Sequence, residues 1–282
     1  MEPALNGPMT VAKLAAKDFK SDYKPVWCPG CGDFTVLSAI TKALAIMELR
    51  PENVAVVSGI GCSSRIPAYT TCYGFHGVHG RALAAGTGLK LARPDLTVLV
   101  TGGDGDGYSI GGNHFIHACR RNADLTYIVM DNHVYGMTKG QPSPTTEPDW
   151  SSKLAPGGTG VREFHPLVIA LASGANFIAR GFSGDPNGAA ALIAQAIRHP
   201  GFSFVEILSP CVTFRPDQRS WKDAVRPASV EPTQDPARAA RRLMTDDGFN
   251  IGVLFTGSRR PYQMPTSQAA QRPPDLEKEF LL

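Results

Sequence analysis

Hydrophobic positions in this chain follow a helical period in some stretches and form short continuous runs in others, and the two kinds alternate. Val36, Leu37, Ile40, Ala43, Leu44 and Met47 recur at helical spacing, with Asp33 placed to cap the helix and Pro51 to stop it. Residues 54–57, Val-Ala-Val-Val, then make a continuously apolar run short enough for a buried strand. The pattern repeats as a small-residue helix over 81–91, a strand over 96–101, a helix over 112–121 and a strand over 125–130. An excursion at 134–160, rich in Pro, Thr and Gly, separates these from a helix over 166–173, a strand over 176–180, a helix over 189–198 and a strand over 202–208. Apolar strands alternating with helices predict an α/β fold, a mostly parallel sheet with helices on both faces.

The ends read differently. Residues 1–23 show no sustained periodicity and read as an N-terminal arm, residues 24–214 as the main domain, and 215–282 as an extended C-terminal segment packing on a partner subunit. Beyond Phe214 the composition turns to Arg, Asp, Pro and Gln, with one brief apolar run at 251–255; a disordered tail is the other reading of its last dozen residues. No apolar stretch approaches the roughly 20 residues of a membrane-spanning helix, and the N-terminus lacks the pattern of a secretory signal, so a cytoplasmic protein without membrane contact is expected. A net charge of +3, with no basic block, argues against a nucleic-acid partner.

Candidate chemistry gathers just past the strand ends. Cys62 follows the strand at 54–57, Asp104 the one at 96–101, Asn132 the one at 125–130 and Cys211 the one at 202–208. In an open α/β sheet that edge binds ligands. Gly103-Asp104-Gly105 followed by Asn132, 29 positions after Gly103, suits a diphosphate with a divalent metal. Asp104 and Asn132 offer hard oxygens, the glycines let backbone amides reach phosphate, and a following helix adds its N-terminal dipole. An ordinary strand-to-helix turn is the competing reading. His79 lies in a loop entering a helix and reads equally as a buried structural imidazole or a site residue. Arg65 and Lys139 are candidates for gripping a substrate carboxylate, against the bland reading of solvated surface charge.

Several segments together resemble a known family. Trp27-Cys28-Pro29-Gly30-Cys31-Gly32-Asp33, Gly59-Ile60-Gly61-Cys62-Ser63-Ser64, His79-Gly80-Arg81, Gly103-Asp104-Gly105-Asp106 and Tyr135-Gly136-Met137-Thr138-Lys139-Gly140-Gln141 are similar to the β subunit of 2-oxoacid:ferredoxin oxidoreductases, in its 2-oxoglutarate branch. The similarity covers about residues 23–214. It implies a thiamine diphosphate-binding fold, with magnesium held by Asp104, Asn132 and the carbonyl of Val134. Thiamine diphosphate would lie among Ile60, Gly61, Cys62, Ser63, His79, Gly105, Asp106, Gly136 and Met137, and one [4Fe-4S] cluster would be held by Cys28, Cys31, Cys62 and Cys211. The implied reaction is coenzyme A-dependent oxidative decarboxylation of 2-oxoglutarate to succinyl-CoA and CO2, with electrons passed to ferredoxin, or its reverse. An α subunit would supply the other half of the thiamine site, in a dimer of αβ heterodimers.

Cysteine chemistry by itself leaves alternatives open. Six cysteines without a secretory signal point to metal or redox duty, and Cys72 and Cys119, in no ligand-like spacing, read as small packed residues. Four thiolates suit zinc as well as an iron-sulfur cluster, although Cys62 and Cys211 standing alone on separate strand ends favours the cluster. A Cys28/Cys31 redox dithiol is weaker, because the helix begins only after Cys31 and two further cysteines need explaining. A non-redox thiamine decarboxylase with structural zinc, and a non-catalytic electron-transfer module, are the two alternatives at the level of function.

Overall fold

The helix–strand alternation closes into one eight-stranded sheet in the computed structural model, which describes residues 13–228 and 231–264. The strands are β1 (Val54–Ser58), β2 (Tyr73–His76), β3 (Thr97–Gly103), β4 (Thr126–Asp131), β5 (Phe177–Phe182), β6 (Ser203–Leu208), β7 (Arg226–Pro227) and β8 (Asn250–Thr256), in spatial order β2-β1-β3-β4-β6-β5-β8-β7. The first six run parallel, and β8 joins β5 antiparallel.

The continuous apolar runs are explained by cover on both faces. Successive strand residues point to opposite sides, so Val54, Val56, Leu99, Ile128, Met130, Val205 and Ile207 face one way, against α1 (Gly32–Ile46) and α5 (Pro186–Arg198). Ala55, Val57, Val98, Val100, Tyr127, Val129 and Phe204 face the other. That side is covered by α2 (Ala82–Ala92), α3 (Gly112–Arg121), α4 (Pro166–Ala172) and α7 (Pro236–Met244), while a single turn, α6 (Trp221–Ala224), precedes β7.

Connectivity positions the site. From β1 the chain passes outward to β2, whereas from β3 it passes the opposite way through α3 to β4. The loops leaving β1 and β3 therefore diverge and open a crevice at the carboxyl ends of adjacent strands.

Several elements differ from the sequence reading. The strand expected at 176–180 runs Phe177–Phe182, and the helix expected from 189 starts at Pro186, where the Asp185 side chain accepts from Gly188 N at 2.9 Å. A capping Asp followed by Pro in the first turn is the signal that marks this start. β2 is absent from the sequence reading because it is a four-residue edge strand, Tyr-Gly-Phe-His, with no buried face. In the stretch beyond Phe214, β8 adds to the sheet through the run at 251–255, and α7 is capped by Asp235 and buries Ala239 and Leu243. Of the expected N-terminal arm, residues from 13 onward lie against the domain: Phe19 is fully buried, and Ser21 N donates to Tyr69 O at 3.1 Å. Residues 1–12 and 265–282 lie outside the described residues. Among the described residues no helix is long and apolar enough to cross a membrane.

One buried ion pair crosses the sheet. Arg180 on β5 stands in register with Glu206 on β6, and its Nε donates to Glu206 Oε2 at 2.6 Å while Nη1 binds Asp246 from the α7–β8 connection. Replacing Arg180 with Met leaves a buried carboxylate unpaired, which should cost about 3–5 kcal/mol. Urea unfolding of Arg180→Met measures this, and a loss below about 1 kcal/mol would show that Glu206 finds another partner or is readily neutralised.

Candidate functional site

At the crevice between β1 and β3 lies a cavity of about 410 Å³. Its wall is assembled from four loops. Ile60, Gly61, Cys62 and Ser63 come from the end of β1, His79 from the approach to α2, and Gly103, Asp104, Gly105 and Asp106 from the end of β3. Asn132, Val134, Tyr135, Gly136, Met137, Thr138 and Gln141 come from the excursion after β4. Every residue expected to contact thiamine diphosphate or magnesium therefore lies on one wall. Ile60 and Met137 are exposed at its mouth.

Asp106 holds three of these segments together. Its Oδ1 accepts from Ile60 N at 2.9 Å and Gly80 N at 2.7 Å, and pairs with His79 Nδ1 at 2.8 Å. A carboxylate oxygen is an acceptor, so His79 carries its proton on Nδ1 and leaves Nε2 free. The close approach requires Gly59, because a Cβ there would collide with both Asp106 carboxylate oxygens. Asp106 lies in the first turn of a wide helix, Gly105–Ile110, of the π type that recurs at functional sites.

Asp104 is buried, and burial pushes its carboxyl pKa up, with hydrogen bonds from Ser143 and Thr145 opposing. Thr145 Oγ1 also lies 2.8 Å from Asp131 Oδ1, whose pKa burial and Asp104 raise further. A hydroxyl has one proton to give. Two buried carboxyls meet at one hydroxyl, with no Lys or Arg paired to Asp104 among the described residues, and the nearby imidazole of His133, 3.8 Å from Asp131 Oδ1, is shared with Glu147, which leaves the site with more negative than positive charge. Such a donor set, with Asn132 and the Val134 carbonyl beside it, suits a hard divalent cation. The Asn132 turn is sharp: Val134 N donates to Asn132 Oδ1 at 3.2 Å, and His133 adopts φ +53°.

The four candidate ligand thiols flank this wall. Cys31 N closes a turn on Cys28 O at 3.0 Å, which Gly30 permits with φ +83°. Trp27 Nε1 donates to Cys62 O at 2.8 Å and so ties this turn to the β1 loop. Burial, then Asp33 and the neighbouring thiols, raise the Cys31 pKa far above the ordinary range and that of Cys62 to about 11. The thiols act on one another: Cys31 senses Cys62 and Cys211, and Cys62 senses Cys28 and Cys211. Cysteines on three loops whose charges act on one another are, by their chemistry, a donor set of the kind a cluster takes. Among the described residues, no three His, Cys, Asp or Glu side chains converge on a single metal ion. Cys72 and Cys119 are buried in the two hydrophobic cores.

Arg65 is half-buried and Lys139 is exposed at φ +79°, and neither lines the cavity. In the sequence reading Tyr135 and Gln141 appear only as part of a motif, and Ser143, Thr145 and Gln218 are not singled out. Ser143 and Thr145 had a signal in the hydroxyl-rich Ser-Pro-Thr-Thr run, whereas Gln218, beyond the expected domain end, had none.

Fold and cavity define a thiamine-enzyme domain: residues 59–207 match the thiamine pyrophosphate enzyme, C-terminal TPP binding domain. The chain is 48% identical to the 2-oxoglutarate oxidoreductase subunit KorB of Mycobacterium tuberculosis over 73% of its own length, a match that spans 56% of that protein. It is 40% identical to the 2-oxoacid:ferredoxin oxidoreductase 1, subunit beta, of Aeropyrum pernix, covering 95% of this chain and 91% of that one. A solved 2-oxoglutarate:ferredoxin oxidoreductase from Magnetococcus marinus, with 2-oxoglutarate, coenzyme A and succinyl-CoA bound, superposes with a TM-score of 0.88 at 38% identity over 96% of each chain. The chain belongs to the family of 2-oxoacid:ferredoxin oxidoreductase β subunits.

Because Asp106 organises the wall, Gly59→Ala should weaken thiamine diphosphate binding at least about tenfold, on the scale of one or two lost charge-assisted hydrogen bonds. Calorimetric titration checks this, and an unchanged affinity in the folded variant would remove Asp106 from the role assigned to it.

Proposed function

We propose that this chain is the β subunit of a 2-oxoglutarate:ferredoxin oxidoreductase, a cytoplasmic enzyme that converts 2-oxoglutarate and coenzyme A to succinyl-CoA and CO2 and delivers the electrons to ferredoxin. The observation that carries the reading is the loop 60–63. Its residues form the cavity wall, and one of them, Cys62, belongs to the thiol group. A thiamine site that exports electrons needs that proximity, and one that only decarboxylates has no use for it. Similarity to the Magnetococcus marinus enzyme, solved with 2-oxoglutarate and both coenzyme A species, supports the substrate.

Bound thiamine diphosphate supplies the electron sink that decarboxylation of a 2-oxoacid requires. This chain's share is binding and placement. Asp104, Asn132 and the Val134 carbonyl would hold magnesium, and the amides of Gly105 and Asp106 would meet diphosphate oxygens. Ile60, Gly61, Ser63, Gly136 and Met137 would shape the wall, with His79 presenting Nε2. Cys28, Cys31, Cys62 and Cys211 would hold one [4Fe-4S] cluster as the electron exit. Arg65 and Lys139 sit on the loops beside the cavity, where their charge favours an anionic substrate. The open mouth at Ile60 and Met137 fits completion of the site by an α subunit, in a dimer of αβ heterodimers.

Replacing Cys28, Cys31, Cys62 or Cys211 with Ala should each deplete iron and acid-labile sulfide in anaerobically prepared enzyme, while Cys72→Ala and Cys119→Ala should leave both unchanged. Zinc at one per chain, without sulfide, would instead support the non-redox alternative. Asp104→Ala should abolish magnesium-dependent thiamine diphosphate binding and keep the iron, since a diphosphate in a buried site needs its charge neutralised. Unchanged calorimetric affinity in that variant would refute the magnesium assignment.

A further inference from the structure

Gln218 joins the two cofactor loops directly. It is completely buried, in the turn after Phe214, and uses both ends of its amide. Its Oε1 accepts from the backbone N of Cys211 at 2.9 Å, and its Nε2 donates to the carbonyl of Asn132 at 2.7 Å. One amide thus satisfies a donor on the loop after β6 and an acceptor on the loop after β4. Only an amide side chain of this length meets both needs: a carboxylate lacks the donor, and Asn is one methylene short.

Arg215 supports the same junction. Its backbone N donates to Cys211 O at 2.9 Å and its Nη1 to His133 O at 3.2 Å, while its guanidinium lies over the Trp150 ring, 4.6 Å from the centroid. The segment from Cys211 to Gln218 is therefore fastened to the metal-ligand turn at two consecutive carbonyls, Asn132 and His133. The Cys211 sulfur in turn lies against Gly136 of the cavity wall, 3.6 Å from where a Cβ on that glycine would sit.

We infer that Gln218 is a positioning residue that fixes Cys211 to the Asn132 turn, so that one end of the cluster and the diphosphate-metal loop hold a single spacing. The inference rests on the reading of these two loops as cluster and magnesium ligands. It explains why a residue outside the cofactor motifs is buried with both polar ends engaged. Electron transfer between two bound groups depends on their separation, and a cluster's potential depends on hydrogen bonding and solvent access around its sulfurs. The clamp acts on both.

The test uses the αβ holoenzyme, purified anaerobically, with Gln218→Met and Gln218→Asn. Met preserves volume without polarity, and Asn preserves polarity without span, so one of the two stays informative if the other fails to assemble. Each variant is measured for iron and sulfide, for calorimetric affinity toward thiamine diphosphate with magnesium, and for the cluster's midpoint potential by EPR-monitored titration. The expected result is wild-type iron content, affinity for thiamine diphosphate about tenfold weaker, and a shifted midpoint potential in both variants. A variant that retains its iron and leaves either the affinity or the potential at the wild-type value would overturn the clamp. Wild-type enzyme without iron and sulfide would overturn the cluster reading and the clamp with it.

Discussion

A single carboxylate oxygen sets the geometry of this site. Asp106 Oδ1 takes hydrogen bonds from the β1 loop, from the approach to α2 and from His79, and so gathers onto the end of β3 two segments that the topology sends elsewhere. The crevice exists because β1 and β3 feed chains running in opposite directions. Divergence opens space and Asp106 limits how far it opens. Gly59 records that constraint as a residue chosen for the absence of a side chain.

Charge along the same edge is handled in two ways. Glu206 on β6 is buried and neutralised within the chain by Arg180, which Asp246 also grips. Asp104 is buried to a similar degree, yet its hydrogen-bond partners are the hydroxyls of Ser143 and Thr145, which orient a carboxylate without cancelling its charge, and the His133 imidazole that acts on it is shared with Asp131 and Glu147. Such a group is costly unless it is protonated or meets a cation from outside. The first carboxylate holds the sheet together, and the second leaves a requirement that a bound metal can fill.

Much of the fold was legible because both faces of the sheet are covered, which turns each central strand into an apolar run bounded by helices. The motif residues were legible for a related reason: glycines and hard-oxygen donors just past strand ends have few other uses, and all of those assigned to the cofactor came together on one wall. What escaped was fixed by tertiary contact rather than local pattern. β2 is a short exposed edge with no buried face to read, and α7 hides two buried positions among arginines. Gln218 has no local signature, since its role depends on joining a nearby backbone group, Cys211 N, to a distant one, the carbonyl of Asn132. Arg65 and Lys139, chosen for charge and proximity in sequence, lie off the wall because a loop that touches a cavity need not turn every side chain toward it.

The central claim is that a thiamine site and an iron-sulfur cluster share the loop that carries Cys62. It is tested most directly by mixing anaerobic αβ enzyme, loaded with thiamine diphosphate and magnesium, with 2-oxoglutarate and coenzyme A in the absence of ferredoxin, while following the cluster by EPR. The account predicts a reduced-cluster signal that appears with release of CO2 and is lost when ferredoxin is added. CO2 release from an enzyme whose intact cluster stays oxidised throughout would contradict it.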